Sequence, residues 1–314
     1  MSRKEIIAFA KNQGIFVALI GIFLYFSIFV GSFFTVENML DIASQIAFIV
    51  LIAIGMTFVI ISAGIDLSVG SIVGVAAVVM AILNEYHHFP VPAATLIALI
   101  AGTILGAVNG FSIVKFNVPP FISTLAMMTI ARGIARSLAG NTKIFISSDI
   151  SFYTNLASTG KWGVIPIVLI MLLFLVLFWI LISKTRFGRY VYAVGGNEEA
   201  AKLSGISIGA VKLWVFTISA FLSSVVGVLL AYKFKNGNPE YGIMWELDAI
   251  AAVVVGGTSL FGGRGSVFRT FIGALLIGIL DNGLLLMGKD QNTIYIIKGL
   301  VILGAVLIDQ IKVG

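Results

Sequence analysis

Residues 42–63 read IASQIAFIVLIAIGMTFVIISA, an apolar run of 22 residues with no charge in it. Wound as a helix at 1.5 Å per residue, the run is about 33 Å long, enough to cross a hydrocarbon core of about 30 Å. The chain repeats this pattern on both sides of it. Apolar stretches lie near 15–34, 42–63, 66–83, 93–114, 120–139, 163–183, 213–233, 246–261, 267–287 and 293–311. The expectation is an all-α, polytopic integral membrane protein of about ten transmembrane helices, or eight or nine if some segments are re-entrant. Composition agrees: 59% of the 314 residues are hydrophobic and only 11% are charged. A water-facing surface needs about 25% charged residues, so most of this surface must face lipid.

The first stretch, residues 15–34, exceeds a signal-peptide core in length, and no small-x-small cleavage site follows it. It reads as a first span and not as a cleaved leader. An even span count puts both termini on one side. Twelve of the 20 Lys and Arg residues then fall on that side, among them Arg3, Lys4, Lys11, Arg186, Lys202 and Lys312. Five fall opposite: Lys143, Lys161, Lys233, Lys235 and Lys289. Arg132, Arg136 and Lys298 lie within spans. The positive-inside rule makes the richer side cytoplasmic, with both termini there. The net charge of +6 is explained by this asymmetry, not by nucleic acid. There is no cysteine, and the only histidines, His87 and His88, sit beside Pro90 and Pro92 in what reads as a wet loop, so no metal site is expected.

No linker or low-complexity segment divides the chain, which reads as one membrane domain over 1–314. Two connections are long. Residues 140–162 form an outer loop with Asn141, Ser147, Ser148, Asp149 and Asn155, and residues 184–212 form an inner loop. There is also an internal echo. Ala63-Gly64-Ile65-Asp66-Leu67 followed by Gly70-Ser71 resembles Gly256-Gly257-Thr258-Ser259-Leu260 followed by Gly265-Ser266. The echo marks either two tight glycine turns between packed helices or the paired breaks of a transport site.

The inner loop contains Gly195-Gly196-Asn197-Glu198-Glu199-Ala200-Ala201-Lys202-Leu203-Ser204-Gly205. The glycines break the preceding structure and Asn197 is a good N-cap. Glu198 and Glu199 suit the positive helix start, Ala200, Ala201 and Leu203 favour helix, and Gly205 ends it. A short capped helix on the cytoplasmic face follows; on physics alone it is a connector or a docking element.

This loop resembles the coupling segment of ABC importer permeases, whose hallmark is Glu-Ala-Ala, three residues, then Gly. Neighbouring words resemble the ribose-type monosaccharide permeases: Gly55-Met56-Thr57-Phe58, Gly64-Ile65-Asp66-Leu67-Ser68-Val69-Gly70-Ser71, Pro119-Pro120-Phe121-Ile122-Ser123-Thr124-Leu125, Ala131-Arg132-Gly133, Gly256-Gly257-Thr258-Ser259-Leu260, Gly262-Gly263-Arg264-Gly265-Ser266 and Asn282-Gly283-Leu284. The resemblance runs from about residue 40 to the end. It implies a type II-importer-like permease in the bacterial inner membrane, passing a monosaccharide. It also implies Gly195, Asn197, Glu198, Glu199, Ala200, Ala201 and Gly205 as the segment coupled to an ABC ATPase subunit. ATP and Mg would sit on that subunit, with no cofactor on this chain. The other implied partners are an extracytoplasmic sugar-binding protein and a second permease copy or paralogue. The chain itself has no Gly-x-x-x-x-Gly-Lys-Ser/Thr; from Gly196 to Lys202, Ala201 precedes the lysine and Leu203 follows it.

Polar residues at membrane depth are the candidates for a pathway or gate. Asp66, with Ser68 and Ser71 after it, is either an N-cap for the next helix or a gate element. Arg132 shares a helix face with Arg136 and lies about 18 Å from Pro120, in the outer half; it is a pathway residue or part of an ion pair. Asp281 and Asn282 sit mid-span, for an interhelical hydrogen bond or for the pathway. Gly102, Gly106 and Gly110 read as close packing, with Asn109 beside them and Thr124 as further polar positions. The competing function is a secondary transporter driven by an ion gradient, which calls for paired acids at mid-membrane. A membrane enzyme has no Ser/His or His/Asp constellation within the spans to work with.

Overall fold

The computed structural model describes residues 3–146 and 161–313 in backbone, and side chains over 14–146 and 164–307. Twelve helices and one short ribbon are present among the described residues: α1 Arg3–Phe29, α2 Val36–Ile61, α3 Val69–Glu85, α4 Val91–Phe116, α5 Pro120–Ala139, β1 Ile144–Phe145, α6 Lys161–Lys184, α7 Arg186–Gly196, α8 Glu198–Leu203, α9 Ile208–Phe234, β2 Asn236–Gly237, α10 Trp245–Val255, α11 Val267–Leu286 and α12 Gln291–Val313. β1 and β2 pair antiparallel, Ile144 opposite Gly237.

The centre is α2, α3 and α9. Thr35 caps α2, its hydroxyl accepting from Asn38 N at 3.3 Å. Every residue from 50 to 61 is buried, the signature of a helix apolar all round and enclosed by others. α4 runs antiparallel to α9 through glycines at every fourth position. A Cβ on Gly106 would meet the Ala220 side chain, and one on Gly110 would lie 2.8 Å from Leu213 Cα. These glycines let two backbones approach where lipid offers no hydrophobic drive for association. α5 lays Ser123, Met127, Ala131, Ala135 and Ala139 inward, one stripe at helical spacing. The outer faces of α4 and α6 stay apolar and exposed, for example Leu96, Ile100, Ile104, Leu173 and Val176. So long an apolar surface would be an aggregation liability in water and is ordinary in lipid.

Among the described residues, five helices are long and apolar enough to cross a membrane: α2, α4, Val164–Lys184 of α6, α9 and α11. Gly14–Phe29, Val69–Glu85 and Gln291–Leu307 are shorter apolar helices. Length and composition therefore single out fewer than the ten expected spans. The largest departure is the stretch 246–261. Its helix, α10, has 11 residues, about 16 Å at 1.5 Å per residue. Gly257, Gly262 and Gly263 then take φ of +85°, +82° and +70°, values open to glycine and closed to a continuing helix. Before α10, residues 239–244 after β2 are turns, with Pro239 and Gly242 buried and Glu240 and Ile243 exposed. Similarly, the span expected from 66 starts at Val69, because residues 62–68 form a turn. The one expected from 15 to 34 ends as helix at Phe29. Of the outer loop 140–162, residues 147–160, with Ser147, Ser148, Asp149 and Asn155, lie outside the described residues.

Candidate pathway and coupling site

The turn between α2 and α3 holds the most buried polar cluster. Asp66 is fully buried. Its Oδ1 accepts from Ser68 N at 2.9 Å and Ser68 Oγ at 2.6 Å. This is an Asx turn that sets the start of α3, while Ser68 occupies the N-cap position without a side-chain cap bond. Asn109 Nδ2 of α4 donates to Ser68 Oγ at 3.0 Å, and Ser123 Oγ of α5 donates to Asn109 Oδ1 at 3.3 Å. Thr124 Oγ1 donates to Ile65 O at 3.0 Å. Asp66 Oδ2 and Ser219 Oγ, both buried, have no hydrogen-bond partner. Four sequence candidates, Asp66, Ser68, Asn109 and Thr124, thus form one network that pins the break to α4 and α5.

Beside this network opens a cleft of about 440 Å³, lined by Ser71, Met128, Thr129, Arg132, Gly133, Arg136, Ile243, Met244 and Glu246. Arg132 is the post at its back. Its guanidinium donates to Pro239 O, to Tyr241 O at 2.9 Å and to Gly70 O at 3.1 Å. An irregular backbone at membrane depth needs partners for its carbonyls, and Arg132 supplies them for residues 236–244 and for the first turn of α3. Arg136 grips Glu240 with both arms, Nε to Oε1 at 2.7 Å and Nη2 to Oε2 at 3.0 Å. Of the sequence candidates, Ser71 and Arg132 line this cleft.

Asp281 and Asn282 lie elsewhere. Asn282 and Asn38 exchange two hydrogen bonds, 3.0 and 2.8 Å, joining α11 to α2. Lys298 of α12 bridges Asp248 of α10 at 2.6 Å and Asp281 of α11 at 2.7 Å. Both residues make helix-to-helix contacts away from the cleft.

Sequence reasoning missed the 236–246 segment, which contributes Met244 and Glu246 to the cleft. The signal was present: Asn236-Gly237-Asn238-Pro239 is a cluster of turn formers. Met244, with φ of +67°, carries no sequence signal for that conformation.

α7 and α8 pack at the C-terminal end of α2, where Gly195 meets the Ile61 carbonyl. α7, which the sequence reading did not anticipate, is anchored by glycine contacts. A Cβ on Gly195 would collide with the Ile61 carbonyl and lie 2.8 Å from Gly263 N. Gly263 N itself donates to Ile61 O at 2.9 Å. The end of α2 at 61–63 and the turn at 262–263, which adjoin the two echoing segments 63–71 and 256–266, therefore meet each other and α7 at one point. Tyr192 donates to Gly265 O at 2.8 Å; burial pushes its hydroxyl up from the usual phenol range, which keeps the proton it donates. α8 follows: Asn197 Oδ1 accepts from Ala200 N at 2.9 Å, and Gly205 leaves the helix at φ +79°. Ala201 packs inward while Glu199, Ala200, Lys202 and Leu203 face out, Leu203 at 91% exposure. Glu198 pairs with Lys212 of α9 at 2.5 Å, which fixes α8 to a long helix.

Comparison with known proteins returns one consistent answer. The family described as branched-chain amino acid transport system / permease component matches residues 38–306. The chain is 40% identical over 312 residues to the ribose import permease protein RbsC of Haemophilus influenzae, covering 98% of this chain and 96% of that one. It is 42% identical over 304 residues to RbsC of Bacillus subtilis, covering 96% and 94%. It is 34% identical over 328 residues to the galactose/methyl galactoside import permease protein MglC of Escherichia coli, covering 99% and 98%. No solved structure matches.

Proposed function

The chain belongs to the branched-chain amino acid transport system / permease component family, and from that premise we propose that it passes a monosaccharide through the bacterial inner membrane as the permease subunit of an ABC importer. The observation that carries this reading is the near full-length similarity to ribose and galactose import permeases. A ribose-like pentose or related hexose is the cargo. The chain is a single membrane domain that works as a pair, with a second copy or a paralogue. An extracytoplasmic sugar-binding protein delivers the cargo, and an ABC ATPase subunit carries the ATP and Mg. Both termini are cytoplasmic, ten segments pass the bilayer, and α8 docks on the ATPase.

The geometry supports this division of labour. α8 presents a small face, Ala200 beside Leu203, on a helix braced by Lys212 and by the Gly195 contact. A push on it is delivered to the turns at 61–64 and 262–265 and not absorbed in a loop. Ser71 of α3, Ile243 and Met244 before α10, and Glu246 of α10 line the cleft, where a rocking motion of α3 against α10 changes access. The ion-gradient alternative finds no support: the family and these relatives are permease components of import systems. The test uses the reconstituted complex. Ala200→Trp blocks docking sterically, and Gly205→Val strains a left-handed residue. Both abolish sugar-stimulated ATP hydrolysis while the binding protein keeps its affinity. Normal coupled hydrolysis and uptake in both variants would remove α8 from the coupling role.

A further inference from the structure

Resting on the reading above, we propose that Glu246 is the residue that makes the outer cleft select a neutral, polyhydroxylated solute. The cleft walls carry Arg132, Arg136 and Glu246, and Glu240 pairs with Arg136. They cancel, but they are not equally engaged. Arg136 and Glu240 satisfy each other bidentately. Arg132 spends three N–H groups on backbone carbonyls, so it serves mainly as a post. Glu246 stands in the first turn of α10, near enough to Arg132 to feel its charge. It has no ion-pair partner among the described residues, and a carboxylate oxygen lies 2.6 Å from where a Cβ on Gly70 would be.

The missing Cβ of Gly70 is what gives that carboxylate its room. Thus Glu246 is the one carboxylate lining the cleft with no side-chain ion-pair partner among the described residues. It faces a space that also holds the Thr129 and Ser71 hydroxyls and the Met128 and Met244 side chains. This is the chemistry for a solute with hydroxyl edges and C–H faces. A carboxylate accepts from hydroxyls with charge-assisted bonds, about twice as strong as neutral ones. Because it also cancels Arg132, the site as a whole has no net charge to hold an anion. A sugar acid or sugar phosphate therefore meets an unfavourable carboxylate and a guanidinium already committed to carbonyls.

The experiment uses the whole transporter in vesicles, with Met128→Cys as reporter; the chain has no other cysteine. D-Ribose, D-galactose and D-fructose are tried in turn at high concentration as neutral probes, and ribonate and inorganic phosphate as anionic ones. One of the sugars slows thiol labelling at position 128 and the anions do not. Glu246→Gln is the isosteric variant. It lowers maximal uptake roughly five- to ten-fold, as expected for trading a charge-assisted bond for a neutral one. It also loses sugar protection and gains protection by anions, because Arg132 is no longer cancelled. Glu246→Asp, which keeps the charge, retains exclusion of anions. If Glu246→Gln transports and is protected like the parent while Ala200→Trp is inactive, the neutral-cleft proposal is wrong and the permease reading stands. If the assembled parent complex takes up no sugar, the permease reading itself fails.

Discussion

Removal of the Lys298 ammonium is the sharpest test of how α10, the half-length helix, is held. Lys298 Nζ lies 2.6 Å from Asp248 Oδ1 and 2.7 Å from Asp281 Oδ2. The lysine and Asp248 side chains are 9% and 12% exposed, and Asp281 is 28% exposed. Lys298→Met strands two carboxylates. Losing one partner of a buried pair costs about 3–5 kcal/mol, which applies to Asp248. The more exposed Asp281 adds at most about 1 kcal/mol, near the value for surface pairs. The triple variant Lys298→Met, Asp248→Leu, Asp281→Leu replaces the ions with apolar groups, and such swaps are often neutral. It should regain stability to within about 1 kcal/mol of the parent. Thermal melting in detergent followed by tryptophan emission is a direct assay. Trp245 begins α10 and stacks on Phe48 of α2 at 6.3 Å, so with Trp162, Trp179 and Trp214 replaced by phenylalanine in every variant its emission reports the helix in question. A Lys298→Met protein that melts with the parent, or a triple variant as weak as the single one, would refute the reasoning.

Three further outcomes are expected. Gly195→Ala drives a methyl into the Ile61 carbonyl, so coupled ATP hydrolysis and uptake should fall at least about five-fold with assembly retained, since overpacking costs about 1–3 kcal/mol; parental coupling in that variant would exclude the contact from the coupling role. Asp66→Leu strips the acceptor from Ser68 N and Oγ and should cost about 2–5 kcal/mol of melting stability for two buried donors, whereas Asp66→Asn keeps Oδ1 as the acceptor, so it should melt near the parent; equal losses in the two variants would show that the turn does not depend on that oxygen. For topology, Glu199→Cys should resist an impermeant thiol reagent in intact cells while Asp290→Cys, in the exposed turn before α12, should react; the reverse pattern would invert the orientation.

Much of the fold was legible because the bilayer imposes one rule, that apolar runs of sufficient length become helices. α2, α4, α6, α9 and α11 fall within a few residues of their expected positions for that reason. The short helix α8 was equally legible, since Asn197, Glu198 and Gly205 each act locally on the backbone. What could not be read were the broken segments. Hydropathy scores residues 246–261 as one apolar stretch, although Gly256 and Gly257 end the helix there. It is blind to 236–244, whose irregular backbone is tolerated only because Arg132 reaches across from α5. Candidate residues divided along the same line. Their polarity at depth singled them out correctly as unusual, but only tertiary contacts separate Arg132 and Ser71 at the cleft from Asn282, which is spent on Asn38.

The α7–α8 end and the cleft are joined by contacts that leave little slack. Gly195 of α7 rests on the Ile61 carbonyl, and Gly263 donates to the same oxygen. Ile61 ends α2, and the seven residues after it lead through the Asp66 turn to Gly70 at the start of α3. Gly70 in turn gives its carbonyl to Arg132 and its open Cα face to Glu246 and Gly242. A displacement of α8 therefore has two bad options: compress backbone against backbone at Gly195, or move the 61–70 segment and with it the cleft wall. Tight packing makes the second the lower-energy response, because interiors transmit strain better than they absorb it. Continuity of contact is a geometric fact, and energetic coupling is a separate quantity. The double-mutant cycle of Gly195→Ala with Glu246→Gln measures it in the uptake rate. The two positions share no contact, so independent effects would add to within about 0.5 kcal/mol. A larger interaction energy is what a mechanical link through residues 61–70 requires.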